Sequence, residues 1–303
     1  MLENTKRKFP PWLRVPFSSA PQFQKTVGVI ADLQLNTICE EGACPNKAEC
    51  FSHGVATFML LGRTCTRNCK YCNVSPGKPR PIDGSEPLRV AEAVRRLGLS
   101  YVVITSVNRD DLPDGGASQF IQTIQEIKRI QPFCNIEILI PDFKGNKKVL
   151  ENIATLPIEV LSHNIETVQE IFPRIRPQGN YFLSLALLKK MKQSNPFLKT
   201  KSGFMLGLGE TAEQIERVLA DLRNQRCDFV TIGQYLPPTP QHYPLSRYYS
   251  PEEFQFWKEN ALQKGFLHVE AGPLVRSSYR ADRLIAYATP PLRTDQCEVK
   301  KFA

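Results

Sequence analysis

Ala56-Thr-Phe-Met-Leu-Leu61 is a short continuous apolar run, and after Gly62, Arg63 and Thr64 comes Cys65-Thr-Arg-Asn-Cys69-Lys-Tyr-Cys72. An unbroken apolar run of this length reads as a strand covered on both faces, the pattern of a parallel sheet. The three thiols stand in the loop that leaves the strand, the edge where parallel α/β folds gather reactive groups. A cubic 4Fe-4S cluster normally takes four protein ligands, so a three-cysteine loop leaves one iron open to an exogenous ligand. A structural zinc site instead wants a fourth protein ligand, for which His53 is a candidate.

Further apolar runs follow at 101–105, 136–140, 159–162, 203–206 and 229–233, and helical periodicity marks 87–97, 117–130, 181–192 and 211–224. Alternation of this kind predicts parallel strands joined by crossover helices. The expected fold is α/β, a partial (βα)6 TIM-type barrel with N-terminal and C-terminal extensions, which the family resemblance given below implies are cluster-binding. Its expected parts are residues 1–54, the barrel 55–245 and the segment 246–303, the last set off by Pro237, Pro238, Pro240 and Pro244. The chain shows no internal repeat and no low-complexity tract.

The 303 residues carry 39 Lys+Arg against 30 Asp+Glu, a net charge of +9, with an ordinary 42% hydrophobic content. Such a balance suits an anionic partner without requiring nucleic acid. Lys6, Arg7, Lys8, Arg14 and Lys25 fall in a proline-containing segment that reads as an extended basic arm rather than a helix. No apolar run approaches the ~20 residues that span a bilayer, and residues 1–17 mix charges with prolines. We therefore expect a cytoplasmic protein with no membrane partner. Six of the nine cysteines lie within 39–72; an odd total in a chain of this size argues for metal or cluster ligation over a disulfide framework.

The other crowded set is Cys39-Glu-Glu-Gly-Ala-Cys44-Pro-Asn-Lys-Ala-Glu-Cys50. It makes a second three-thiol group, again one ligand short of a closed site, with zinc or separate buried thiols as the alternatives. Near the other end, Arg276-Ser277-Ser278-Tyr279-Arg280 offers hydroxyls that can fold back onto it.

The Cys-x3-Cys-x2-Cys loop, with an aromatic before its last cysteine, resembles the cluster loop of the radical S-adenosylmethionine superfamily. Together with Cys-x4-Cys-x5-Cys and the C-terminal Arg-Ser-Ser-Tyr, it resembles the lipoyl synthase family. Thr105 through Gly116, His163-Asn-Ile-Glu-Thr167 and Gly203-Phe-Met-Leu-Gly-Leu-Gly-Glu210 look like that family's blocks as well. Asn108, where an acid is expected, and Ile165, where leucine is expected, depart from it. The resemblance implies that Cys65, Cys69 and Cys72 hold a cluster that binds and cleaves S-adenosylmethionine to a 5′-deoxyadenosyl radical. It implies that Cys39, Cys44 and Cys50 hold an auxiliary 4Fe-4S cluster, with Ser278 as fourth ligand and Ser277 as the alternative. The implied reaction inserts sulfur, taken from the auxiliary cluster, at C6 and C8 of an octanoyl chain on a lysine of a lipoyl carrier domain. The implied carriers are 2-oxoacid dehydrogenase E2 subunits and the glycine cleavage H protein. A ferredoxin or flavodoxin as electron donor and an iron-sulfur carrier are the expected further partners.

Gly207 and Gly209 are expected to let backbone approach the cofactor. His163 is open between a cavity role and a structural one. Asp110, Asp111 and Asp114 fail the EF-hand spacing and read as helix-capping or ribose-binding residues. Cys134, Cys227 and Cys297 read as ordinary thiols. Two rivals remain. A biotin synthase-like enzyme would disperse its auxiliary ligands along the strands; a zinc-stapled nucleic-acid-binding protein would use the charge and the paired triads.

Overall fold

The computed structural model describes residues 9–15 and 20–288; Lys6, Arg7, Lys8 and Cys297 lie outside them. In chain order the strands are β1 (Thr57–Leu60), β2 (Thr64–Cys65), β3 (Ser75–Pro76), β4 (Tyr101–Ser106), β5 (Asn135–Leu139), β6 (Val160–Ser162), β7 (Lys199–Leu206), β8 (Phe229–Gln234) and β9 (His268–Gly272). Seven form one sheet in the order β1-β4-β5-β6-β7-β8-β9, every pair parallel, and β2 and β3 form a separate two-residue ladder. The six expected strands are all present, and β9 adds a seventh from the C-terminal segment.

The helices are α1 (Pro21–Asp32), α2 (Ile38–Glu41), α3 (Lys47–Ser52), α4 (Glu86–Leu97), α5 (Ala117–Ile130), α6 (Lys147–Ala154), α7 (Phe172–Ile175), α8 (Tyr181–Ser194), α9 (Ala212–Asn224), α10 (Pro251–Gln263) and α11 (Ile285–Ala288). Those from α4 to α10 lie in the crossovers. Their buried stripes, such as Phe120, Ile124 and Ile127 on α5, pack on strand residues such as Ile104, Ile136 and Ile138. Each such side chain, fully withdrawn from water, contributes about 1.5–3 kcal/mol. Asp114 accepts from the Gly116 and Ser118 N–H groups and so orders the start of α5, whose N-cap is Gly116.

The extended-arm reading fails over Lys25, which lies within α1. Pro21 starts that helix without losing a bond, and buried Thr26 and Ile30 turn inward. The Thr26 hydroxyl donates to Phe51 O, and Phe23 packs on the Phe51 ring.

The sheet leaves β1 and β9 as edges, so the barrel is partial. Its interior near the strand starts holds a satisfied ion pair. The Glu137 carboxylate accepts from Lys201 Nζ (2.9 Å), Tyr101 OH (2.8 Å) and Ser162 Oγ (2.7 Å). Leu284 packs on Val160 and Phe229 and Ala281 on Tyr101 and Val103, so the C-terminal segment covers the end of the barrel away from the cysteines.

Candidate cluster-binding active site

The loop after β1 is held by its neighbours at almost every residue. Cys65 Sγ accepts from the Arg67 and Asn108 N–H groups, both at 3.4 Å. Buried Arg67 donates to both carboxylates beside it: Nε and Nη2 to Asp110 (2.7 and 2.9 Å), Nη1 and Nη2 to Asp142 (2.6 and 2.7 Å). Paired forks of this kind fix orientation as well as charge. Lys70 N–H donates to Ile175 O, and the proline-rich stretch folds back on the loop through Tyr243 N–H to Lys70 O and His242 to Cys72 O. That stretch is therefore part of the site's wall rather than a spacer.

Burial pushes the Cys69 thiol up to about 11 and Cys72 to about 12, with Cys65 among the neighbouring charges that raise both. Iron must displace those protons, so loading releases them.

The second triad forms likewise around α2 and α3. Burial raises Cys39 to about 11 and Cys50 to about 12, and each feels Cys44 as a like charge. Burial also raises Cys44, opposed by an N–H from Asn46 and the Arg276 guanidinium. Thr57, at the start of β1, hydrogen-bonds Cys39 and donates its hydroxyl to Ser278 Oγ at 2.8 Å. Ser277 turns the other way and accepts from Asn164 Nδ2 at 2.6 Å. The two serines thus point to different ends of the site, with Ser278 on the side of Cys39.

Both sets meet in one cavity of about 560 Å3, lined by Cys39, Cys44, Cys65, Cys69, Cys72, Ser277 and Ser278. Cys50 is not part of that lining and packs, half-buried, against the neighbouring core. At the strand ends Ser106 Oγ, Asn108 Oδ1 and Asn164 Oδ1 are buried, line this cavity and have no protein partner. Unpaired buried acceptors cost free energy unless a ligand meets them, so the cavity is built for a polar guest.

Sequence reasoning missed Glu166 and Arg176, which also line it. Glu166 holds φ +68, a strained conformation for a non-glycine residue, and burial raises its carboxyl against the pull of Arg176 and hydrogen bonds from Tyr71 and Asn164. The positive φ had no sequence signal; the acid itself stood two residues after Asn164.

His163 lines the cavity, and both of its ring nitrogens have protein partners. Its Nδ1 meets Ile140 O (2.8 Å), which only accepts, so Nδ1 carries the proton and Nε2 accepts from Ser184 Oγ (3.0 Å). Burial lowers the ring to about 4, keeping it neutral. His53 Nδ1 donates to Glu49 O within its own helix end, and among the described residues it belongs to no group of three His, Cys, Asp or Glu side chains that could hold a metal ion.

Gly207 and Gly209 do not line the cavity; Gly203, Phe204 and Met205 do. The two glycines answer a backbone need instead. Both have φ +105, and a Cβ on Gly207 would sit 2.3 Å from Gln234 Nε2. The Gly207 and Leu208 N–H groups donate to Glu210, closing a strand-to-helix turn. Cys134 and Cys227 are buried thiols away from the site, raised by burial to about 11 and 12.

Among the described residues no three His, Cys, Asp or Glu side chains are grouped as a single metal ion would need. Tetrahedral zinc thiolates at about 2.3 Å from the ion would bring the sulfurs to within about 4 Å of one another. Three soft thiols per set, five of the six opening on a shared cavity, fit the donor demand of two iron-sulfur clusters.

Comparison with known proteins agrees with this geometry. Residues 59–222 match the family model described as Radical SAM superfamily. A lipoyl synthase of Xanthomonas campestris pv. campestris is 50% identical over 92% of this chain and 84% of its own length. One from Alkaliphilus metalliredigens is 50% identical over 92% and 96%. Among solved structures, methylornithine synthase superposes with a TM-score of 0.54 at 13% identity, covering 85% of this chain and 80% of that one. Streptococcus suis SuiB bound to S-adenosylmethionine superposes at 0.55 and 12%, covering 76% and 54%. These two likenesses show the barrel fold, and the sequence identity carries the rest: the chain belongs to the lipoyl synthase family within the radical S-adenosylmethionine superfamily.

Proposed function

We propose that this chain catalyses the lipoyl synthase reaction, inserting two sulfur atoms at C6 and C8 of an octanoyl chain carried on a lysine of a lipoyl domain. The observation that carries the reading is the convergence on one cavity of Cys65, Cys69 and Cys72 with Cys39, Cys44 and Ser278. Cys65, Cys69 and Cys72 are assigned the S-adenosylmethionine cluster; Cys39, Cys44, Cys50 and Ser278 are assigned the auxiliary one. When bound, the first cluster supplies the electron that cleaves S-adenosylmethionine and the second supplies sulfur.

The protein's own part is position and shelter. Arg67, pinned by two carboxylates, fixes the cluster loop, and the fold-back of 237–244 covers it. Apolar wall residues such as Met59, Leu139 and Phe204 suit an alkyl chain and keep water from a reactive radical. The orphan acceptors on Ser106, Asn108 and Asn164 suit the polar cofactor. The net charge of +9 favours encounter with an acidic carrier domain, for which E2 subunits and the glycine cleavage H protein are the candidates.

A ferredoxin or flavodoxin as donor, an iron-sulfur carrier and a cytoplasmic location complete the proposal; no helix among the described residues is long and apolar enough to cross a membrane. Residues 1–54 and 246–303 serve in it as the auxiliary-cluster extensions of a barrel at 55–245.

Anaerobic purification with iron and sulfide analysis tests it, the expected content being about eight irons per chain. Replacing Cys65, Cys69 and Cys72 with alanine should leave about half and abolish 5′-deoxyadenosine formation. Persistence of that product in the triple variant refutes the radical assignment.

A further inference from the structure

The auxiliary triad and the serine segment come from opposite ends of the chain, yet each cysteine stands beside a residue that grips the segment 274–280. Asn46, which gives its N–H to Cys44, donates through Nδ2 to Leu274 O at 2.6 Å. Glu49, next to Cys50, accepts from Tyr279 OH at 3.0 Å and lies 3.7 Å from Arg280. Thr57, bonded to Cys39, donates to Ser278 Oγ at 2.8 Å. These three grips span 228, 230 and 221 residues of sequence.

Beneath them Gly233 lets the segment lie directly on β8, because a Cβ there would stand 2.2 Å from Val275 O. Asn46 is buried, with Oδ1 left unpaired, so the side chain is held for its one bond to Leu274 rather than for a fully satisfied site.

We infer that Asn46, Glu49 and Tyr279, with Thr57, form a three-point clamp that positions Ser278 against the auxiliary triad. It rests on the reading of Cys39, Cys44 and Cys50 as a cluster site. Asn46 and Tyr279 are absent from the cavity wall and do not meet a cluster or substrate there; they are positioning residues. The clamp fixes where a weak oxygen ligand stands without strengthening its bond to iron. A serine held in place from outside can complete the cluster and still be lost from it when sulfur leaves.

The test uses the full chain carrying Cys65→Ala, Cys69→Ala and Cys72→Ala, so that iron reports the auxiliary set alone. Loss of iron to a chelator is timed, and Mössbauer spectra are recorded, for Tyr279→Phe, Asn46→Ala, Glu49→Ala and Glu49→Gln in that background. Removing one bond of the clamp should hasten iron loss about fivefold. It should also broaden the signal of the oxygen-ligated iron, while the melting temperature of the Tyr279→Phe protein stays near that of its parent. Glu49→Gln still accepts from Tyr279 and should lose iron at the parent's rate. Unchanged rates and spectra in both Tyr279→Phe and Asn46→Ala overturn the clamp alone, as does Glu49→Gln matching Glu49→Ala. A parent that takes up no iron overturns the cluster reading and the clamp with it.

Discussion

Arg67→Ala removes the cation that two carboxylates share at the centre of the cluster loop. Arg67 and Asp142 side chains are each only 2% exposed, so the variant strands a buried carboxylate whose nearest remaining cation, Arg176, stands 3.6 Å away. Breaking a buried pair from one side costs about 3–5 kcal/mol. With an unfolding entropy of about 2.1 cal/mol/K per residue, a chain of this size loses about 1.6 °C per kcal/mol, or about 5–8 °C in all.

The sign with pH follows from Asp142. Burial pushes its carboxyl up, but the hydrogen bonds and charge of Arg67 overcome this and hold it well below the usual carboxylate range. A depressed carboxyl contributes stability above its unfolded pKa, about 4, and that stability is lost as pH falls through the lower native value. Thermal melts of the anaerobic protein should therefore show an acid decline below about pH 4 in the parent and a flatter acid limb in the variant. Lys190→Ala, at an exposed pair with Glu151, should not move the melt measurably. Arg67→Ala melting with the parent at every pH, with full iron in the Cys65–Cys72 loop, refutes the assignment of that network to loop positioning.

Ser278→Cys should keep the auxiliary cluster but slow sulfur transfer, and Ser278→Ala should load it poorly. Ser277→Ala, whose hydroxyl meets Asn164 instead, should do less; mass-spectrometric product counts with Mössbauer spectra rank the three. Gly233→Ala puts a methyl 2.2 Å from Val275 O and should displace the serine segment, lowering lipoyl formation more than 5′-deoxyadenosine formation in paired assays. Lys201→Met leaves Glu137 buried and uncompensated and should destabilise the fold by about 3–5 kcal/mol in denaturant melts.

The barrel was legible because its strands are continuous apolar runs, as at 101–105 and 229–233. β9 was not, since of His268-Val-Glu-Ala-Gly272 only Val269 is buried and an edge strand needs no second apolar face. The helix α1 hid behind the basic residues around it; its stripe of Phe23, Thr26 and Ile30 is short and includes a hydroxyl, shared between Gln22 O one turn back and Phe51 O far along the chain. Thiol spacing singled out six cysteines, five of which the fold brings to one cavity, because ligand sets repeat at short intervals within a loop. Glu166 reaches the cavity with a positive φ, and Arg176 from the end of α7, where it donates to Asn164 O; local sequence encodes neither. Gly207 and Gly209 show the opposite error: glycines beside a site can answer a turn, here the one closed by Glu210.

The most direct test follows the sulfur. The chain is reconstituted with heavy-isotope sulfide, given an octanoylated lysine peptide, S-adenosylmethionine and a reductant in unlabelled buffer, and the product is weighed by mass spectrometry. Two heavy sulfur atoms per product in the parent, and 5′-deoxyadenosine without any sulfur insertion after Cys39, Cys44 and Cys50 are changed to alanine, are the results expected. Lipoyl product carrying only light sulfur, or formed undiminished by that triple variant, contradicts the auxiliary cluster as sulfur donor.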